Sequence, residues 1–198
     1  TGDGTLELAG PNTYSIATTV AEGTLLVTSS TGSGPVEVND GATLAGSGTV
    51  TGATTVAAGG ALAPGAGPGI LTLNGGLTLA EEATLAVELG GATPGLYDQA
   101  NVTGAVSLGT GAAGTELILT LYGGFSPAAF DQFVIVENDG TDAVAGLLSY
   151  GGTLLGEGDM LAGAPGGKKI AISYLYDSAT GLIGAGNDIL LQVIPEPG

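Results

Sequence analysis

Short runs of alternating apolar and polar residues recur along the chain, and each is closed by glycine, proline or an Asn-Asp-Gly step. Thr5-Leu6-Glu7-Leu8, Val36-Glu37-Val38, Leu71-Thr72-Leu73 and Leu117-Ile118-Leu119-Thr120-Leu121 are examples. A period of two sends every second side chain to one buried face, so these runs predict strands joined by tight corners. Glycine recurs every few residues. At roughly 1 kcal/mol lost per interior glycine, helices of ordinary length are not expected. Longer strands are predicted after about Gly109, over 116–122, 131–137, 170–176 and 187–194.

The strands fall into a repeat. Val20, Val38 and Val56 are evenly spaced and open one phrase: Val20-Ala-Glu-Gly23-Thr-Leu25, Val38-Asn-Asp-Gly41-Ala-Thr-Leu44 and Val56-Ala-Ala-Gly59-Gly-Ala-Leu62. A looser copy, Leu79-Ala-Glu-Glu82-Ala-Thr-Leu85, follows at a wider interval, and Val102 stands the same wider interval beyond Leu79. A strand, a glycine corner and a second strand, recurring at about 18 to about 23 residues, is the pattern of a β-solenoid. One rung cannot bury its inward Val and Leu alone, whereas rungs stacked about 4.8 Å apart share a core. The expected fold is all-β: a parallel β-solenoid (β-helix) over 1–109, and a wider-rung or sandwich-like β part over 110–198, continuous with the first. A six-residue grid through Val20, Leu26, Val38, Leu44, Val50, Val56 and Leu62 is similar to the hexapeptide repeat of left-handed β-helices. An uneven division of one whole rung produces the same grid, so the winding stays open.

Composition narrows the chemistry. The chain has 198 residues, of which 39 are glycine, and 43% are hydrophobic, enough for a core rather than disorder. Nineteen acidic residues face two lysines, Lys168 and Lys169, giving a net charge of −17. That charge leaves no basic patch for nucleic acid and opposes an anionic membrane surface. There is no cysteine or histidine, hence no disulfide, thiol nucleophile, His base or zinc finger. No apolar run reaches the ~20 residues of a transmembrane segment. Thr1 in place of Met is expected of a processed start.

The phrases Gly4-Thr5-Leu6-Glu7-Leu8-Ala9-Gly10-Pro11-Asn12-Thr13-Tyr14, Gly46-Ser47-Gly48-Thr49-Val50, Leu62-Ala63-Pro64-Gly65-Ala66-Gly67-Pro68-Gly69 and Tyr97-Asp98-Gln99-Ala100-Asn101-Val102-Thr103-Gly104 resemble the autotransporter-associated β-strand repeat. Gly186-Asn187-Asp188-Ile189-Leu190-Leu191 fits that family's C-terminal edge. The end of the chain, Pro195-Glu196-Pro197, resembles the Pro-Glu-Pro sorting motif of exported bacterial proteins of exopolysaccharide, biofilm and floc matrices. That family continues into a membrane helix and an Arg-rich tail, which this sequence does not carry. The resemblance implies a secreted, extracellular or cell-surface β-solenoid and brings no catalytic residues.

Several clusters carry possible chemistry. Glu137-Asn138-Asp139-Gly140-Thr141-Asp142 and Gly186-Asn187-Asp188 concentrate oxygen donors. Asp139, Asp142 and Asp188 are therefore candidate Ca²⁺ ligands, although the first run departs from the spacing of an EF-hand loop and the second resembles a single copy of the Ca²⁺-binding nonapeptide roll, whose sites need successive turns. A solvated acidic turn is the competing reading. Glu82 and Glu88 are the carboxylate pair for a polysaccharide lyase or hydrolase, but alternation places both on a solvated strand face. Gly65-Ala66-Gly67-Pro68-Gly69 lacks the Lys-Ser/Thr of a phosphate loop. A stack also has two open ends with unpaired N–H and C=O groups. Head-to-tail addition of copies satisfies them, with Thr5, Leu6 and Leu8 at one end and Ile189, Leu191 and Val193 at the other. The sequence is thus read as a non-enzymatic structural protein that partners itself. A polysaccharide-binding adhesin using Tyr122 or Tyr150 is the alternative.

Overall fold

The computed structural model describes residues 2–196. Among them there is no α-helix, only a short 3-10 turn at Pro165–Gly167. Among the described residues no helix is long and apolar enough to cross a membrane. The protein is all-β, and its sheets are mostly parallel.

The first sheet contains β1 (Thr5–Leu8), β3 (Gly23–Val27), β5 (Ala42–Gly46), β8 (Ala61–Pro64), β11 (Thr84–Leu89), β14 (Thr115–Leu121), β16 (Leu148–Tyr150) and β17 (Thr153–Leu154), in that spatial order. The second contains β2 (Thr18–Val20), β4 (Val36–Val38), β7 (Thr54–Val56), β10 (Leu77–Leu79) and β13 (Val106–Ser107). The third runs from β6 (Thr49–Val50) through β9 (Ile70–Leu73), β12 (Gln99–Val102), β15 (Gln132–Asn138) and β20 (Asp188–Ile194) to β18 (Lys169–Asp177) and β19 (Leu182–Ile183). From β5 to β15 the chain visits the three sheets in rotation, and each strand except β6, which begins its sheet, pairs in parallel with one from the preceding circuit.

The register follows the repeat. Val20, Val38, Val56 and Leu79 stand opposite one another in the second sheet. In the first sheet Leu6, Leu25, Leu44, Leu62, Leu85 and Leu117 form one ladder. Leu25 through Leu117 are buried, so like side chains stack into a continuous core. Val102 leaves the pattern: it pairs with Leu73 and Asn138 in the third sheet. Leu26 on the six-residue grid is half-buried, because Leu25 holds the inward position.

The circuits lengthen along the chain. Successive rungs of the leucine ladder stay close in sequence from Leu6 to Leu62, are further apart at Leu62 and Leu85, and are furthest apart at Leu85 and Leu117. Larger side chains fill the wider circuits. Tyr97 and Phe133 meet edge to face with ring centroids 5.4 Å apart, and Phe125 meets Phe133 at 6.2 Å. β14 pairs with β11 across Gly109, so strand pairing is continuous there. The last strands reverse direction: β17, β18, β19 and β20 all pair antiparallel.

Corners repeat as strictly as strands. Gly23, Gly41 and Gly59 take φ of 70°, 73° and 75°, and Glu82 takes 63° at the equivalent corner. The Gly41 N–H donates to the Gly59 carbonyl, and the Gly59 N–H to the Glu82 carbonyl. A left-handed conformation costs a residue with a Cβ roughly 1–2 kcal/mol. Glu82→Gly relieves that strain against a smaller entropy loss. It is expected to stabilise the protein by about 1 kcal/mol and to raise the melting temperature by about 2–4 °C. A thermal melt at or below wild type contradicts this account of the corner.

Candidate functional site

Asp139 and Asp142 share one turn, and the fold brings Asp188 to it around Asn138. Their oxygens serve as acceptors for the protein itself. Asp188 takes the Asn138 N–H on Oδ1 and the Ser178 N–H on Oδ2, both at 2.8 Å. Asp139 accepts the Gly104 N–H through Oδ1 at 2.6 Å. Asp142 contributes its backbone carbonyl, which accepts from the Asn138 and Asn187 amides at 2.9 and 3.0 Å. These bonds tie the 139–142 turn to the start of β20. Among the described residues no three acidic side chains form a group able to hold a metal ion.

Thr5, Leu6 and Leu8 lie on β1, which pairs on one side only, with β3. Leu6 ends the leucine ladder at 63% exposure. The other expected contact is corrected by the fold. β20 is hydrogen-bonded on both sides, to β15 and β18, and Ile189, Leu191 and Val193 are buried. The final strand has no open edge because β18 folds back antiparallel onto it, a long-range pairing with no local sequence signal. The outermost strands at that end are β17, β13 and β19 of the three sheets, and Leu182 and Ile183 of β19 are exposed.

Pro195 and Glu196 follow β20, and Pro197 lies outside the described residues. The Lys169 ammonium meets the Glu196 carboxylate at 2.9 Å on the surface. Such a pair contributes at most about 1 kcal/mol. Glu82 sits at its corner, whereas Glu88 lies near the far end of β11. The residues from Thr84 to Glu88 alone span ~13 Å of extended chain, beyond the ~5–9.5 Å separation used by glycosidase carboxylates.

The most perturbed carboxyl is Asp98, which sequence reasoning placed only inside a motif. It is 2% exposed. Its Oδ1 accepts the Gly69 N–H and its Oδ2 the Glu88 N–H, each at 2.9 Å, while its own N–H donates to the Glu88 carbonyl. Asp98 thus clamps the start of β9, β11 and the approach to β12. Burial pushes its carboxyl up to about 7, the N–H bonds from Glu88 and Gly69 oppose the shift, and the Glu88 charge adds to it. The flanking residues of the Tyr97-Asp98-Gln99 run also have defined partners. The Tyr97 hydroxyl accepts the Val134 N–H at 3.3 Å, and Gln99 Nε2 donates to Glu137 at 3.0 Å. The sequence carries only an aspartate between an aromatic and an amide, and its burial is decided by the fold.

No protein-family model matches the chain, and neither does any curated protein with which it was compared.

Proposed function

We propose that the protein is a parallel β-solenoid that serves as a non-enzymatic structural component outside a bacterial cell, at its surface or in a biofilm matrix, and associates with further copies through its open end. The carrying observation is that end itself. β1 has a single partner, and Leu6 stands exposed at the head of a ladder whose interior members are buried. Adding a strand there pairs the free N–H and C=O groups and covers Leu6. The tail contact of a head-to-tail filament passes to β17 and β19, where Leu182 and Ile183 are exposed. The net charge of −17 keeps such edges from indiscriminate association. Extracellular placement rests on the resemblance to the autotransporter-associated repeat and the Pro-Glu-Pro motif.

Light scattering over a concentration series, with negative-stain microscopy, tests this reading. Assemblies are expected for the wild type and not for Leu6→Glu, which places a charge on an exposed edge while leaving the core intact. A wild type that stays monomeric, with no fibres, overturns the proposal.

A further inference from the structure

The outward face of the third sheet holds two adjoining clefts, of about 570 and 470 Å³, which share Asn101, Glu137 and Ser178. Gln99 and Asn101 of β12 and Gln132 and Glu137 of β15 line the larger one, and Phe130 and Tyr176 form part of its walls. Phe130 is 68% exposed and holds φ at 70°, a conformation that a bulky residue rarely takes. Its N–H donates to the Val193 carbonyl, and the Val193 N–H donates to the Asp131 carbonyl, so the backbone that carries the ring is fixed on β20. At the junction of the clefts the Asn101 Oδ1 is buried and has no hydrogen-bond partner among the described residues.

We infer that this groove binds an uncharged polysaccharide. An exposed aromatic ring beside planar amides and carboxylates offers an apolar face and paired donors and acceptors. A sugar presents the complement, with C–H faces for the ring and hydroxyls that both donate and accept. No lysine lines either cleft, so an anionic polymer meets only repulsion. The carboxylates are engaged by the protein itself. Glu137 accepts from Gln99 and Ser178, and Asp131 accepts the Ala128 N–H at 2.8 Å. A cationic polymer is drawn to acidic residues over the whole surface and has no reason to select the groove. Phe130 and the amides select a neutral chain. The inference stands on this groove and is independent of self-association.

Affinity electrophoresis in native gels containing hydroxyethyl cellulose, dextran or alginate is the test, run on wild type and on Leu6→Glu so that assembly and binding are read separately. Retardation by at least one neutral glucan and not by alginate is expected. Phe130→Gly is expected to weaken it about tenfold, the loss of one stacked ring, with a melting temperature equal to or above wild type because the strained φ is relieved. Gln132→Ala supplies a second variant that leaves the backbone of β15 intact, and it too is expected to weaken retardation. A wild type unretarded by both glucans, one retarded by alginate alone, or retardation unchanged in both variants overturns the inference.

Discussion

Gly46→Ala is expected to cost about 4 kcal/mol, a large share of a typical domain's stability. Gly46 ends β5 with φ of 117°. An added Cβ there meets the Val27 carbonyl of the preceding circuit and lies 2.7 Å from the Val27 nitrogen. On the other side the Gly46 N–H donates to the Gly65 carbonyl at 2.9 Å, and the Gly65 N–H donates back at 2.7 Å. The residue is held between two neighbouring circuits, so moving away from Val27 presses it onto Gly65. Left-handed strain of roughly 1–2 kcal/mol therefore adds to overpacking of about 1–3 kcal/mol. Gly41→Ala separates the two contributions. Gly41 has φ of 73°, but its added Cβ meets nothing within 4 Å. Only the left-handed strain, about 1 kcal/mol, is expected there. Urea denaturation of both variants measures the difference. Equal losses would show that circuit-to-circuit contact at Gly46 is not what limits the residue.

The second large effect is a dependence of stability on pH through Asp98. Its carboxyl is raised from 3.8 to about 7 in the folded protein. Between those values the native state keeps a proton that the unfolded chain has released. The stabilisation is fully present below the unfolded value and is lost as pH rises through about 7, to a total on the order of 4 kcal/mol. Asp98→Asn removes the titration. It also turns one amide face toward a backbone N–H that needs an acceptor, which costs about 1–3 kcal/mol at every pH. The readout is the stability difference between wild type and variant, since this cancels the titration of the other acidic groups. That difference is expected to be greatest near pH 4 and to shrink or reverse above pH 7. A difference that stays constant across the range would show that Asp98 does not titrate between its folded and unfolded values.

Much of the fold is legible in the sequence because it is local. The strands predicted over 116–122, 131–137, 170–176 and 187–194 appear as Thr115–Leu121, Gln132–Asn138, Lys169–Asp177 and Asp188–Ile194. The even spacing of Val20, Val38 and Val56 sets their register directly, since one period corresponds to one circuit. Val102 continues the wider interval from Val56 to Leu79 and yet stands in another sheet. Circuit length has changed by then, and a fixed period no longer marks a fixed position. The acidic residues Asp139, Asp142 and Asp188 are legible as a group, but the use of the Asp139 and Asp188 carboxylates as acceptors of backbone N–H groups is not. A carboxylate that binds a cation and one that binds an N–H have the same local sequence.

Alternation, corner glycines and the repeat determine by themselves that this chain forms short strands with tight turns and stacks like residues over like. Each of those properties depends on φ, on side-chain period, or on residues one circuit apart. Only the tertiary structure decided that β20 is an interior strand, that Asp98 is buried against two N–H donors, and that the open edges are those of Leu6 at one end and of Leu182 and Ile183 at the other. Edge and burial are sums over all strand pairings. The antiparallel pairing of β18 with β20 covers β20 and moves the edge of the third sheet to β19 through contacts between residues far apart in sequence, and no local pattern records which edges remain once that pairing is made.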